Sequence, residues 1–148
     1  MQGLIIKPMT FEDIDDVMKV ENASFSLPWK KESFLNELLR NKLAVYLAAR
    51  LNGQIVGYAG MWRVLDEGHI TNIAVHPDFR TQNIASALIQ ALIRVCKEQE
   101  IQYLTLEVRK SNTIAQKLYE KHGFSPDGMR KAYYADNKED AVIMWKQI

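Results

Sequence analysis

The sequence predicts an α/β (α+β) fold: a mixed, mostly antiparallel sheet of about seven strands with helices on both faces. Three observations carry this prediction. Apolar residues switch between two-residue and helical spacing in the order β-α-α-β-β-β-α-β-α-β-β. Asn52-Gly53 stands between two β-prone runs, a strong short-range hairpin signal. A strand, a loop, an amphipathic helix and a second strand follow one another over residues 70–108, as in a right-handed β-α-β crossover with parallel strands. At 148 residues the chain suits one core, so residues 1–148 are read as a single domain.

The elements follow in order. Residues 4–9, "LIIKPM", form a short first strand. Thr10 is a good N-cap for the next helix, with Asp13 three residues on in a capping-box place. Ile14, Val17 and Met18 supply its apolar stripe, and "SLPW" at 26–29 breaks it. Residues 29–41 are expected as a second helix, with Phe34, Leu35, Leu38 and Leu39 on one side. Residues 43–64 are the hairpin, 66–68 a turn, and 69–75 the next strand. Ile84, Leu88, Leu92, Val95 and Cys96 give a helical period over 84–99. Residues 101–108 form a strand, and Ser111 or Asn112 caps a helix over 113–122 that ends near Gly123. Residues 124–145 close the chain as a second hairpin-like pair.

Composition excludes several classes. A net charge of +1 gives no bulk field toward nucleic acid or an anionic membrane, so neither is expected as a partner. No apolar run reaches 18 residues, and the first residues do not read as a leader peptide. The lone Cys96 fits a reducing compartment and sits on the apolar stripe of its helix, as a buried inert thiol would. A cytoplasmic protein, monomeric or weakly dimeric, is the expectation. Three scattered histidines and one cysteine offer no metal-ligand spacing, so no metal is expected.

One loop suggests chemistry. Arg80-Thr81-Gln82-Asn83-Ile84-Ala85-Ser86 joins a strand to a helix. A helix start offers unpaired N–H groups and partial positive charge, which suit a phosphate, and Arg80 adds a full charge. The same loop reads equally as a plain turn with a solvated arginine.

The surrounding residues tip this balance. "HITNIAVHPDFRTQNIASALI" resembles the central motif of the GNAT superfamily of acetyltransferases, with Asn83 replacing its first glycine. "LTLEVRKSNTIAQKLYEKHGF" resembles that superfamily's other main motif, and the element order is that of a GNAT domain. "LEVRKSN", "LYEKHGF", the ending "RKAYYADNKEDAVIM" and Pro28-Trp29 are similar to the RimI-type branch, which acetylates the N-terminal alanine of a small-subunit ribosomal protein.

The resemblance implies roles for particular residues. Acetyl-CoA is the expected cosubstrate, and the N-terminal peptide of a ribosomal protein the expected acceptor. Backbone N–H groups of Ile73, Ala74 and Val75 would hold the acetyl and pantetheine end. The loop from Arg80 to Ser86 would hold the pyrophosphate, and Asn112 would touch the cofactor. Glu107 would be the general base acting through water, and Tyr119 the acid that protonates the leaving thiolate. Trp29, His69, Tyr133 and Tyr134 are candidates to line the acceptor groove. His69 is a rival for the base, although it reads first as a sheet-surface histidine; His76 and His122 look structural. Glu139 and Asp140 either attract a basic peptide or form a solvated turn.

Acceptor chemistry adds one constraint. An α-amine is about a quarter neutral near pH 7.4 and a lysine only about 0.1%. The gap is roughly 3 to 4 kcal/mol of deprotonation work. A water-relayed carboxylate suits the α-amine better. A GNAT enzyme for another amine (a lysine side chain, a polyamine, a small amine) and a non-catalytic CoA-binding module are the competing readings. Asn83 is compatible with a working cradle because asparagine tolerates the left-handed backbone region and can cap a helix.

Overall fold

A computed structural model describes residues 3–148. Its strands are β1 Leu4–Pro8, β2 Ala44–Leu51, β3 Gln54–Val64, β4 Glu67–Val75, β5 Tyr103–Arg109, β6 Ser125–Arg130 and β7 Ala141–Gln147. The helices are α1 Ile14–Ser24, α2 Lys31–Leu39, α3 Ile84–Glu98 and α4 Thr113–Lys121, with single 3-10 turns at Phe11–Asp13 and Pro77–Phe79. All seven strands join one sheet in the order β1-β2-β3-β4-β5-β7-β6. Only β4 and β5 are parallel; every other neighbouring pair is antiparallel. The expected class and element order are both met.

Local chemistry explains the boundaries. Asn52 and Gly53 both take positive φ (52° and 85°), the primed turn that matches the twist of β2 and β3. The Asp13 carboxylate accepts from the Thr10 backbone N–H at 2.8 Å, the return half of a capping box. Gly123 ends α4 with φ 93°, a left-handed stop that a Cβ would strain. Pro126 is tolerated in β6 because that strand lies at the sheet edge.

Several boundaries differ from expectation by about two residues, and two of these have a local cause. Helix α2 begins at Lys31 rather than Trp29, because the Trp29 N–H donates to the Glu21 carboxylate at 2.8 Å and Lys30 stays extended. Strand β4 begins two residues early, because Glu67 and Gly68 pair with Val64 and Arg63 and carry the β3–β4 ladder on to its turn.

The sheet is covered on both faces. Ile84, Leu88, Ile89 and Leu92 of α3 pack with Val56, Met61, Leu104 and Leu106 in one core. Ile14, Val17 and Val20 of α1 and Phe34 of α2 pack with Tyr46, Ile55, Tyr58 and Ala74 in the other. Helix α4 lies on the α3 side through Ala115, Leu118 and Tyr119. Cys96 is fully buried, and burial pushes its thiol up to about 11, which makes it inert as expected.

Candidate active site

The site exists because two strands part. β4 and β5 pair only at Glu67↔Tyr103, Gly68↔Leu104 and His69↔Thr105. Yet β4 runs on to Val75 and β5 to Arg109. On their outer edges β4 stays paired with β3 as far as Val75, and β5 with β7 as far as Arg109. The sheet therefore opens between them. A bulge helps: Gly60 faces Asn72 and Met61 faces Ile70, so Thr71 is an extra residue that bends β4 away. The result is a cleft of about 280 Å³ at the carboxyl ends of the parallel pair, a common ligand position in α/β sheets.

Toward α3 the features are largely backbone, and residues 80–86 lie beyond the cleft lining itself. Past His69, the β4 edge facing β5 has no ladder partner. Ile73 lines the cleft, while Ala74 and Val75 bury their side chains in opposite cores and present main chain only. Thr81 and Asn83 both take left-handed φ (65° and 62°), which curls residues 80–83 into the start of α3. Asn83 tolerates this geometry as expected, but its side chain does not cap the helix. Ile84 is anchored in the core, which aims the first free N–H groups of Ile84, Ala85 and Ser86 outward. Gln82 is half-buried in this curl. Arg80 stands at the rim with its Nε donating to the Val75 carbonyl at 3.2 Å.

His122 belongs to this cradle. Its Nε2 lies 3.0 Å from the Ser86 hydroxyl, and burial holds the imidazole below its usual range. It is structural, as expected, but what it supports is the cradle.

The titrating groups come from three strands and one helix. The Glu107 side chain is 9% exposed and lines the cleft. One of its oxygens lies 2.5 Å from His69 Nε2, and the other accepts from Arg130 Nε at 3.1 Å. The His69 hydrogen bond, with Arg130 behind it, holds the carboxyl below the usual range against the opposing effect of burial. His69 and Glu107, rivals in the sequence, are one pair in space. Tyr119 lines the cleft from α4 and packs its ring on Phe124 at 5.7 Å. Burial pushes its phenol up to about 12, so it stays protonated and able to donate. Asn112 lines the cleft too, with its side-chain oxygen committed to the Ala115 N–H at 3.1 Å as the α4 cap.

The opposite wall is side-chain rich. Trp29, Phe25 and Leu27 come from the α1–α2 loop, and Tyr134 from the β6–β7 loop. Arg109 lies over the Tyr134 ring, 4.0 Å from its centroid, and bonds Asp136 at 2.8 Å and Glu139 at 3.4 Å. Glu139 also accepts from the Ser111 N–H, and Asp140 from the Ala132 N–H. These acidic groups hold the loop in shape. Tyr133 leans edge-on against Tyr134 at 5.1 Å but is 48% exposed and outside the cleft lining.

Glu21, Asn72 and Arg130 escaped the sequence reading. Glu21 had a signal: it continues the Ile14, Val17 spacing, so a carboxylate sits on the apolar stripe of α1. Asn72 had none, because the bulge at Thr71 breaks the alternation that would place it. Arg130 reaches Glu107 only through the pairing of β6, β7 and β5.

A GNAT acetyltransferase family model matches residues 14–124, which span both helical layers and the whole splay. The chain belongs to the GNAT family. As such it is an acetyl-CoA-dependent N-acetyltransferase. A Bacillus subtilis (strain 168) protein is 48% identical over 143 residues, covering 97% of this chain and 95% of its own. Its name marks it provisionally as a ribosomal protein bS18-alanine N-acetyltransferase. The ribosomal protein bS18-alanine N-acetyltransferase of Haemophilus ducreyi is 39% identical, covering 95% and 97%. The crystal structure of the ribosomal-protein-S18-alanine N-acetyltransferase from Escherichia coli superposes with a TM-score of 0.90 at 32% identity, covering 98% and 94%. Among the described residues no helix is long and apolar enough to cross a membrane, and no group of three metal-ligating side chains converges.

Proposed function

We propose that this GNAT domain, residues 1–148, acetylates the α-amine of the N-terminal alanine of ribosomal protein bS18 in the cytoplasm. The observation that carries the reading is near end-to-end similarity to relatives named for that substrate. The geometry supports it. The left-handed turns at Thr81 and Asn83 and the unpaired β4 edge fit a pyrophosphate followed by an extended amide-bearing arm.

Acetyl-CoA supplies the activated acetyl group. Backbone N–H groups of residues 73–75 orient it, and the Arg80–Ser86 loop and Asn112 hold its other end. The acceptor enters beside Trp29 and Tyr134. Glu107, through a water, takes the proton as nitrogen attacks. Direct transfer from an α-ammonium to a carboxylate held below its usual range is uphill. The His69 imidazole, 2.5 Å away, is placed to share that proton and pass it outward. Tyr119 gives its phenolic proton to the leaving sulfur.

An acceptor panel tests the proposal. An alanine-starting basic peptide with the bS18 N-terminus is expected to exceed lysine and spermidine in kcat/KM by at least tenfold. The reverse order would assign another amine.

A further inference from the structure

One carboxylate in the cleft has no role in the transfer described above. Glu21 lies near the end of α1, is 1% exposed and lines the cleft. Its carboxylate accepts from the Tyr58 hydroxyl at 2.5 Å and from the Trp29 N–H at 2.8 Å. Both donors are neutral. A buried carboxylate held by neutral donors is a poorer source of stability than an apolar side chain on the same helix stripe. What it adds over such a side chain is two directed hydrogen bonds.

Those bonds close a loop. The Glu21 carbonyl accepts from the Phe25 N–H at 3.1 Å, and the Glu21 carboxylate accepts from the Trp29 N–H four residues on. One residue therefore ties both ends of the segment that leads from α1 to α2. Tyr58 fixes this tie to the sheet, since it is fully buried in β3. Burial and the Glu21 charge push its phenol up, so it stays protonated and donates. The tied segment has little else to hold it. Phe25 and Leu27 line the cleft yet are 42% and 66% exposed, so core packing does not fix them. Neither side-chain bond of Glu21 reaches the β4 edge or the start of α3.

We propose that Glu21 is a positioning residue for the acceptor: by closing residues 25–29 at both ends, it holds Phe25, Leu27 and Trp29 as the wall on which the incoming peptide lies. This rests on the acetyl-transfer reading and adds the group that shapes its acceptor side. Glu21 acts through the loop and exchanges no proton with the substrate.

Separate KM values for the alanine-starting peptide and for acetyl-CoA, with amide hydrogen exchange at Trp29, test this in Glu21→Ala, Glu21→Gln and Tyr58→Phe. Alanine removes both side-chain bonds, while the Trp29 ring keeps its packing on Phe34 at 5.2 Å, so the chain should still fold. Glutamine keeps an oxygen for the Trp29 N–H and can turn an N–H to the Tyr58 oxygen. In Glu21→Ala the expected result is a peptide KM raised about tenfold or more, Trp29 exchange faster by a similar factor, and an acetyl-CoA KM within about twofold of wild type. Glu21→Gln should bring the peptide KM back to within about threefold, and Tyr58→Phe should raise it about threefold. An unchanged peptide KM in Glu21→Ala would overturn the assignment, and so would an equal rise in both KM values. Glutamine as poor as alanine would show that the peptide needs the charge and not the loop's position, which overturns it as well. If Glu21→Ala does not fold, the same two KM values in Tyr58→Phe decide, and loss of fold in both variants would make Glu21 purely structural and overturn the proposal. A wild type inactive on every amine would instead overturn the acetyl-transfer reading itself, with Trp29 exchange still reporting whether Glu21 ties the loop.

Discussion

The two walls of the cleft are built on different principles. The α3 side is main chain: the free edge of β4 and, beyond the cleft lining itself, the curl at 80–83 and the first N–H groups of α3. Its side chains, such as Ile84 and Val75, face the core. The opposite wall is side chain: Trp29 and Glu21 from α1 and the loop after it, and Tyr134 from the β6–β7 loop with Arg109 stacked on its ring. Backbone recognition tolerates substitution wherever φ and ψ are kept. Side-chain recognition does not. On the proposed function, Asn83 in a glycine place is therefore a small change, and the side-chain wall is the one expected to set which amine is used.

The largest break is expected between the walls, at the reacting groups. Tyr119→Phe and Glu107→Gln should each lower kcat by at least tenfold, about 1.4 kcal/mol or more of transition-state stabilisation. Folding should persist, checked by circular dichroism. Near-normal rates in both variants would remove the mechanism. Next comes the acceptor wall. Tyr134→Ala should raise peptide KM roughly five- to tenfold, by removing a ring on which Arg109 stacks, and leave acetyl-CoA affinity near wild type by calorimetry.

Acid should act on the same pair. The folded-state pKa of Glu107 lies below its unfolded value, so the ionised group contributes stability above about pH 4.5. That contribution is lost as pH falls through the folded pKa. The melting-temperature gap between wild type and Glu107→Gln should be constant near neutrality and shrink below pH 4.5. At the alkaline end, a Tyr119 phenol near 12 should give no falling limb in kcat up to pH 10. The smallest effect belongs to the backbone wall. Asn83→Gly should keep or tighten acetyl-CoA binding by no more than a few fold, since it relieves a left-handed residue without removing a cap. A clear loss of affinity would show that the Asn83 side chain itself touches the cofactor.

Much of this was legible in the chain. The hairpin at Asn52-Gly53 and the stop at Gly123 are local and formed as read, and of the two cap candidates, Ser111 and Asn112, the structure uses Asn112. Glu107 and Tyr119 were found through motif resemblance, and both line one cleft. Tyr133 was named with Tyr134, yet only Tyr134 faces the cleft, because adjacent residues in a loop need not share a direction. His69 and Glu107 were rivals because 38 residues of chain hide a 2.5 Å contact.

By itself the sequence determined the element order and the two helical layers, because period, turn residues and helix starts act within a few residues. Tertiary structure decided the rest. It parted β4 from β5, paired His69 with Glu107 and tied His122 to Ser86. Each depends on register across the sheet, and a single bulge at Thr71 resets that register where no local pattern announces it.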